Sequence, residues 1–341
     1  MSARSETMLI SRPLVGLLGL AVVGFAIFPW LGGQYYVDLL MRVMILGIFA
    51  MSLDLLIGYT GLISFGHAAF FGLTGYVLVM VTPETGSISV WLALPACLIA
   101  AALVAAVIGW MSIRTSGIYF IMLTLALAQM LYYFFNDSTK YGGSDGTFIA
   151  SRPSVSIGSL RLLDLGDRLT LYYVVLASMV GTFLLLMVLL RAPFGQVIQA
   201  IRANEARTRA LGFAVQHYKL ASFVIAGALA GFAGFLEATH TGIISPAHLS
   251  WHESGLVMIM VILGGMGTIY GAVLGAFILV FLQEFLQDMT EHWQLALGLI
   301  IIAVVLLLPK GVAGLPKQLA GTVGGRRQSR DAASVVEAND G

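Results

Sequence analysis

Of 341 residues, 59% are hydrophobic and 10% carry a charge, where an ordinary soluble domain has about 25% charged. Mean hydropathy is +0.93. A soluble enzyme is excluded, because a water-facing surface for a chain of this length needs more polar side chains than the sequence contains. A formal net charge of +1, with no dense basic run, excludes a nucleic-acid binder.

These figures leave an all-α polytopic membrane protein. A bilayer-spanning helix needs about 20 mostly apolar residues, and the chain supplies such runs at 14–31, 37–57, 62–82, 90–113, 116–135, 170–190, 220–241, 253–265, 268–287 and 293–309. About ten spans are therefore expected, with the short eighth and the glycine-crowded third as candidates for broken helices. Arg4 and Arg12 precede the first run as in a signal peptide. Phe28-Pro29-Trp30 then follows without a small-x-small cleavage site, so a retained anchor is expected. Cys97, the single cysteine, lies in the fourth run and leaves no disulfide framework or cysteine metal cluster.

Lysine and arginine set the orientation. With both termini cytoplasmic, thirteen of the 18 basic residues fall on the cytoplasmic side. The expected organisation is a cytoplasmic N-terminus (1–13), a transmembrane permease domain (14–310) and a disordered, Gly-, Ser- and charge-rich cytoplasmic tail (311–341). Within the domain, 136–169 forms an external loop and 191–219 a cytoplasmic one.

The cytoplasmic loop RAPFGQVIQAIRANEARTRALGFAVQHYK has helical spacing over 196–211. Val197, Ile198, Ile201 and Leu211 are apolar against the charged Arg202, Glu205, Arg207 and Arg209. Pro193 and Gly195 are expected to break the chain before this helix, and Gly212 to cap its end. Such a helix either lies on lipid headgroups or docks into a soluble partner.

In Gly58–Gly75, five glycines and His67 interrupt what should be continuous helix, and Gly264–Gly275 repeats the density in the other half. Close helix packing is the common role of membrane glycine. Paired broken segments in two halves instead point to a transport pathway. Ionisable residues of the spans lie near helix ends: Asp38 and Arg42 at i, i+4 spacing suited to pairing, then Asp54, Glu237 and Glu284. This placement argues against an ion-coupled carrier. Glu237, His240, His248, His252 and Glu253 gather on the outer side, but their spacing matches no zinc motif and no metal is assigned. The sequence has no phosphate-binding loop and no HExxH or GxSxG motif, so ATP hydrolysis or other chemistry is expected elsewhere.

Several segments together resemble the permease subunits of branched-chain amino acid ABC transporters of the LivM type: LDLLIGYTGLISFGHAAFFGLTGY at 53–76, RTSGIYFIMLTLALAQM at 114–130, YGGSDGT at 141–147, 200–238, GGMGTIYGAVLGA at 264–276 and PKGVAGL at 309–315. The resemblance implies a translocation subunit in the bacterial inner membrane, without an ATPase site of its own. Its implied partners are a homologous LivH-like permease, two cytoplasmic ATPases carrying ATP and Mg, and an external solute-binding protein. It also implies that the cytoplasmic loop is an ATPase-coupling element, with Glu205, Ala206 and Gly212 at the matching positions and Ala200, Arg202 and Arg209 beside them. Gly58, Gly61, Ser64, Gly66 and His67, with Gly264, Gly265 and Gly267, are candidates for lining or shaping the path. The implied cargo is a branched-chain or related amino acid. Permeases of this type also serve urea, amides and aromatic acids, and the competing readings are a self-sufficient secondary transporter and a membrane enzyme.

Overall fold

The computed structural model describes residues 12–83, 88–157, 160–308 and 311–314. The expected N-terminal segment over 1–11 and most of the tail lie outside the described residues. The helices are α1 (Arg12–Leu31), α2 (Gln34–Asp54), α3 (Ala68–Val81), α4 (Val90–Ser112), α5 (Ile118–Asn136), α6 (Arg168–Arg191), α7 (Pro193–Ala203), α8 (Glu205–Ala210), α9 (Val215–Thr241), α10 (Trp251–Gly264), α11 (Ile269–Met289) and α12 (Trp293–Leu307). Among the described residues, seven helices are long and apolar enough to cross a membrane. Shorter apolar helices stand at the first, third and eighth expected positions. Both α3 and α10 have 14 residues, and at about 1.5 Å per residue neither reaches across a hydrocarbon core of roughly 30 Å.

Helix α2 is the centre of the bundle. Its most apolar window is 94% buried, against 22% for α5, so α2 serves as core while α5 presents most of its surface outward. On one side α2 packs against α6, α10 and α11, and on the other against α9, which in turn holds α3 and α4. Small residues set these distances. Gly227 and Gly231 of α9 face Ala105 and Ala101 of α4, and Gly234 lies against the Phe71 backbone carbonyl of α3. On α11, Gly271 and Gly275 lie against the backbone of Gly264 and Met260 in α10. Where lipid is as apolar as leucine, such close backbone approach is what drives helix association.

The connection from α5 to α6, expected as a loop, contains strands. Strands β1 (Thr147–Phe148) and β4 (Ile243–Ile244) pair antiparallel, and β2 (Ser154–Ile157) forms a hairpin with β3 (Leu160–Asp164). YGGSDGT makes the turn before β1, with Gly142 and Gly146 at positive φ and Gly146 pressed on the Ile244 backbone. The signal was missed because β1 and β4 are two-residue strands whose partners lie far apart in the chain. Asp167 caps α6, accepting from the Thr170 hydroxyl (2.8 Å) and N–H (3.0 Å). These bonds hold its carboxyl below the usual carboxylate range, so the cap is intact near neutrality and is lost as pH falls through that lowered value.

A Cβ at position 234 has no room beside the α3 backbone, whereas nothing lies near Gly181. Gly234→Ala should therefore destabilise the purified chain by about 1–3 kcal/mol, read as a lowered thermal midpoint in detergent, while Gly181→Ala leaves the midpoint unchanged.

Candidate functional site

Helix α2 does not end at Asp54 but continues as a π-helical turn, Leu55–Thr60, closed by Gly61 at φ +80°. The chain then runs without helix through His67 before α3 begins, which is why the third span is short. Backbone at membrane depth must find its partners within protein, and side chains of α5 and α10 supply two of them. The Phe65 N–H donates to Thr124 Oγ1 of α5 (3.3 Å), and the Ala68 N–H to Ser254 Oγ of α10 (3.0 Å). From α2, Ser52 Oγ donates to the Phe49 carbonyl (2.7 Å), so the His67 Nε2–H fills the remaining contact with that hydroxyl at 2.8 Å. His67 is fully buried, stacked 5.6 Å from the Phe49 ring and edge-on to Phe70.

Burial alternates along the unwound stretch. Leu62, Ser64 and Gly66 point inward, Gly66 against the Thr124 backbone, while Gly61 and Ile63 are exposed and Phe65 is half-buried. Ser64 and His67 thus shape the core, and Ile63 and Phe65 face outward, while Met266 is exposed in the other broken segment. Sequence reasoning passed over Met266 because it fell between two expected spans, and over Ile63 and Phe65 because the run 62–82 was expected to be helical. Read as extended chain, 61–66 carries the period-two signal that marks them.

The remaining glycine candidates meet in one place near α7. Gly58 is buried where a Cβ would stand 2.5 Å from the Gly267 backbone nitrogen and would strike the Asp54 carboxylate. Gly267, at φ +80°, donates its N–H to Asp54 Oδ1 at 2.8 Å. Gly264 lies on the Gly271 carbonyl, and Gly265, at φ +114°, contacts Gly311. The two glycine-rich segments are thereby brought together, Gly58–Gly61 from one half against Gly264–Gly267 from the other.

Above this knot, the expected single helix over 196–211 is two helices. Asn204, at φ −161°, breaks it and caps α8 by accepting from the Arg207 N–H (2.9 Å). An Asx cap offers the backbone a non-helical alternative that outweighs the local helical pattern. Pro193 starts α7 rather than preceding it, as suits a residue lacking an N–H. Ile198 and Ile201 anchor α7, Thr208 anchors α8, and Gly212, at φ +87°, ends α8 as expected.

Glu205 has its two oxygens engaged within the chain, by Lys219 of α9 (2.6 Å) and Arg209 (2.8 Å). Ala200, Ala206, Arg207, Arg209 and Gly212 stay exposed, next to the exposed Leu211 and Phe213. Arg202 is accessible, yet it lies across the knot: its Cγ is 3.2 Å from a Cβ at Gly61, and its Nη1 3.2 Å from one at Gly267.

At the opposite end, Asp38 pairs with Arg168 (3.4 Å) and lies 3.8 Å from His240 Nε2, instead of pairing with Arg42. The fold brings α6 and α9 to Asp38, overriding the local spacing. Arg42 faces Glu253. His248 Nδ1 stays with Ser245 (3.2 Å), and no group of three His, Cys, Asp or Glu is placed to hold a metal among the described residues.

Ser254→Ala strands the Ala68 N–H at the start of α3, and a buried donor without a partner costs about 1–3 kcal/mol. The variant should show a lowered thermal midpoint and faster amide exchange at Ala68–Phe70, measured by hydrogen–deuterium exchange, with helix content unchanged.

The chain was compared with known proteins. The family model for the branched-chain amino acid transport system / permease component matches residues 35–308. The high-affinity branched-chain amino acid transport system permease protein LivM of Escherichia coli (strain K12) is 29% identical over 320 residues, which cover 88% of this chain and 74% of the relative. The corresponding LivH protein of Salmonella typhimurium is 22% identical over 285 residues, covering 79% of this chain and 91% of the relative. An L-arabinose ABC transporter permease protein, AraH, of Azospirillum brasilense is 28% identical over 135 residues, covering 37% of this chain and 40% of the relative. No solved structure matches. A family match from α2 to the end of α12, on a bundle with paired broken segments, shows that this chain belongs to the permease components of branched-chain amino acid transport systems.

Proposed function

We propose that this multi-pass chain is the translocation subunit of an importer driven by ATP hydrolysis on separate subunits, and that its α7–α8 loop is where those subunits act. The observation that carries the reading is the construction of that loop. A short, interrupted helix pair is clamped to α9 through Glu205–Lys219, and its accessible side presents Ala206, Arg207, Arg209, Leu211 and Phe213. A helix resting on headgroups turns its apolar side into the protein and the lipid. This loop instead ends in an accessible Leu211–Gly212–Phe213 tip beside two arginines, which suits a groove on a soluble protein. The basic residues of the loop support a cytoplasmic location for it, the side on which partner subunits would hold ATP with Mg.

Glu205 has a structural task in this reading. Its charge is spent on Lys219 and Arg209, so Ala206, Arg207 and Arg209 are the side chains left to meet the ATPase. The full assembly joins this chain to a homologous permease, two ATPases and an external solute-binding protein in the inner membrane. ATP-driven closure of the ATPases pushes α7–α8 and moves the helices behind it. Solute released by the binding protein passes along the face bearing Ile63, Phe65 and Met266, while Ser64, Gly66, His67 and the glycine knot hold its shape. The cargo is a branched-chain or related amino acid, supported by the names of the relatives that match over most of the chain.

Purification of the solubilised chain with its neighbouring subunits should recover a soluble ATPase. Glu205→Lys sets a second cation against the nearly buried Lys219, and Gly212→Pro removes the conformation that ends α8. Each should reduce the recovered ATPase or separate ATP turnover from uptake. Gradient-driven uptake by the chain alone in liposomes, or labelling of a cysteine at position 205 from outside the cell, would contradict the proposal.

A further inference from the structure

We propose that Asp54 is a positioning residue that transmits movement of α7 to the α10–α11 connection, through a carboxylate that holds the Gly267 N–H directly beneath the Arg202 side chain. The inference rests on the reading of α7–α8 as the ATPase-coupling loop. Asp54 is fully buried at the junction of α2 and its π-helical turn. Oδ1 accepts from the Gly267 N–H at 2.8 Å, and Oδ2 has no hydrogen-bond donor among the described residues. The cation placed over the Gly267 that Asp54 holds is Arg202, the last basic residue of α7. Its stem crosses Gly61 and its guanidinium stands over Gly267. The carboxylate thus ties the π-helical turn to the α10–α11 connection, and α7 lies over both through Arg202.

Three observations favour transmission over passive bracing. A buried carboxylate oxygen without a donor costs stability, so a site serving stability alone has no use for it. The backbone around it is built to turn, with Gly61, Gly265 and Gly267 all at positive φ. Finally, Arg202 is accessible and sits on the element that a partner would push, so in this proposal a displacement of α7 brings the guanidinium onto the free Oδ2. A carboxylate and a guanidinium that are apart in one arrangement and paired in another are a suitable element for coupling. Gly58 is required beside it, because a side chain there would occupy the carboxylate's position.

The test uses the complete transporter in proteoliposomes, with binding protein and leucine. Assembly, ATP hydrolysis and uptake are measured for wild type, Asp54→Asn, Arg202→Gln and the double variant. Asparagine keeps the acceptor for Gly267 and removes the charge. Each single variant should assemble and hydrolyse ATP while uptake per ATP falls roughly tenfold, within the 5- to 150-fold range of ordinary couplings. The double variant should be no worse than either single one. A merely structural role would change assembly, not the uptake-to-ATP ratio. An unchanged ratio in both singles, or independent losses that multiply in the double, overturns the proposal. Should Asp54→Asn fail to assemble, Arg202→Gln decides alone by the same ratio. A wild-type chain that binds no ATPase overturns the parent reading and this one together, whereas a coupled wild type with unaltered variants overturns this one only.

Discussion

The structure depends on one requirement: backbone that leaves the helix inside a membrane must be satisfied by protein. Gly61–His67 lies in the part of the chain that should cross the bilayer; its Phe65 N–H is met by Thr124 from α5, the Ala68 N–H that follows it by Ser254 from α10, and the His67 ring by Ser52 from α2. That need explains features that seem unrelated in sequence. The bundle's most buried helix, α2, carries a serine where His67 can reach it, and α10 places Ser254 at the start of α3. The small residues of α9 and α11 bring the flanking helices close enough for these bonds to form. A continuous third helix would have needed none of this, so the break is a built feature, of the kind that marks a pathway in membrane transporters.

The same break connects the membrane domain to its loop. Ending the helical course of α2 at Gly61 exposes the glycine surface on which Arg202 rests, and the Gly267 N–H turns to Asp54 across it. The α7–α8 loop therefore does not merely hang from α6 and α9. It is anchored through Ile198 and Ile201, clamped by Glu205–Lys219, and in contact through Arg202 with both broken segments. In the proposed function, a push on its exposed tip has a short mechanical route to both broken segments.

Much of this was legible from residue patterns, and the errors have specific physical causes. Apolar runs located every long helix, because length and hydropathy are enforced by the bilayer itself. The clustering of basic residues picked out 191–219 as a distinct element, and glycine density picked out both segments that meet at the knot. Asp54 was noted only as an end-of-span charge, since its partner Gly267 is 213 residues away. The break at Asn204 was overridden in the reading by helical spacing on both sides of it, although an asparagine before Glu205 is a cap signal. Ile63 and Phe65 were hidden by the assumption of a 3.6-residue period where the chain has a period of two. Asp38 illustrates the remaining class of error: a plausible i, i+4 pair with Arg42 loses to Arg168, brought from another helix by the fold.

The central claim is that the α7–α8 loop is the surface that receives the ATPase. Hydrogen–deuterium exchange of the chain in nanodiscs, with and without the purified ATPase, tests it most directly. The account predicts slowed exchange over Glu205–Phe213 on ATPase addition, with a smaller change at Gly264–Thr268 and little along α5. Binding of the ATPase with exchange over Glu205–Phe213 unaltered, and protection elsewhere, would contradict it.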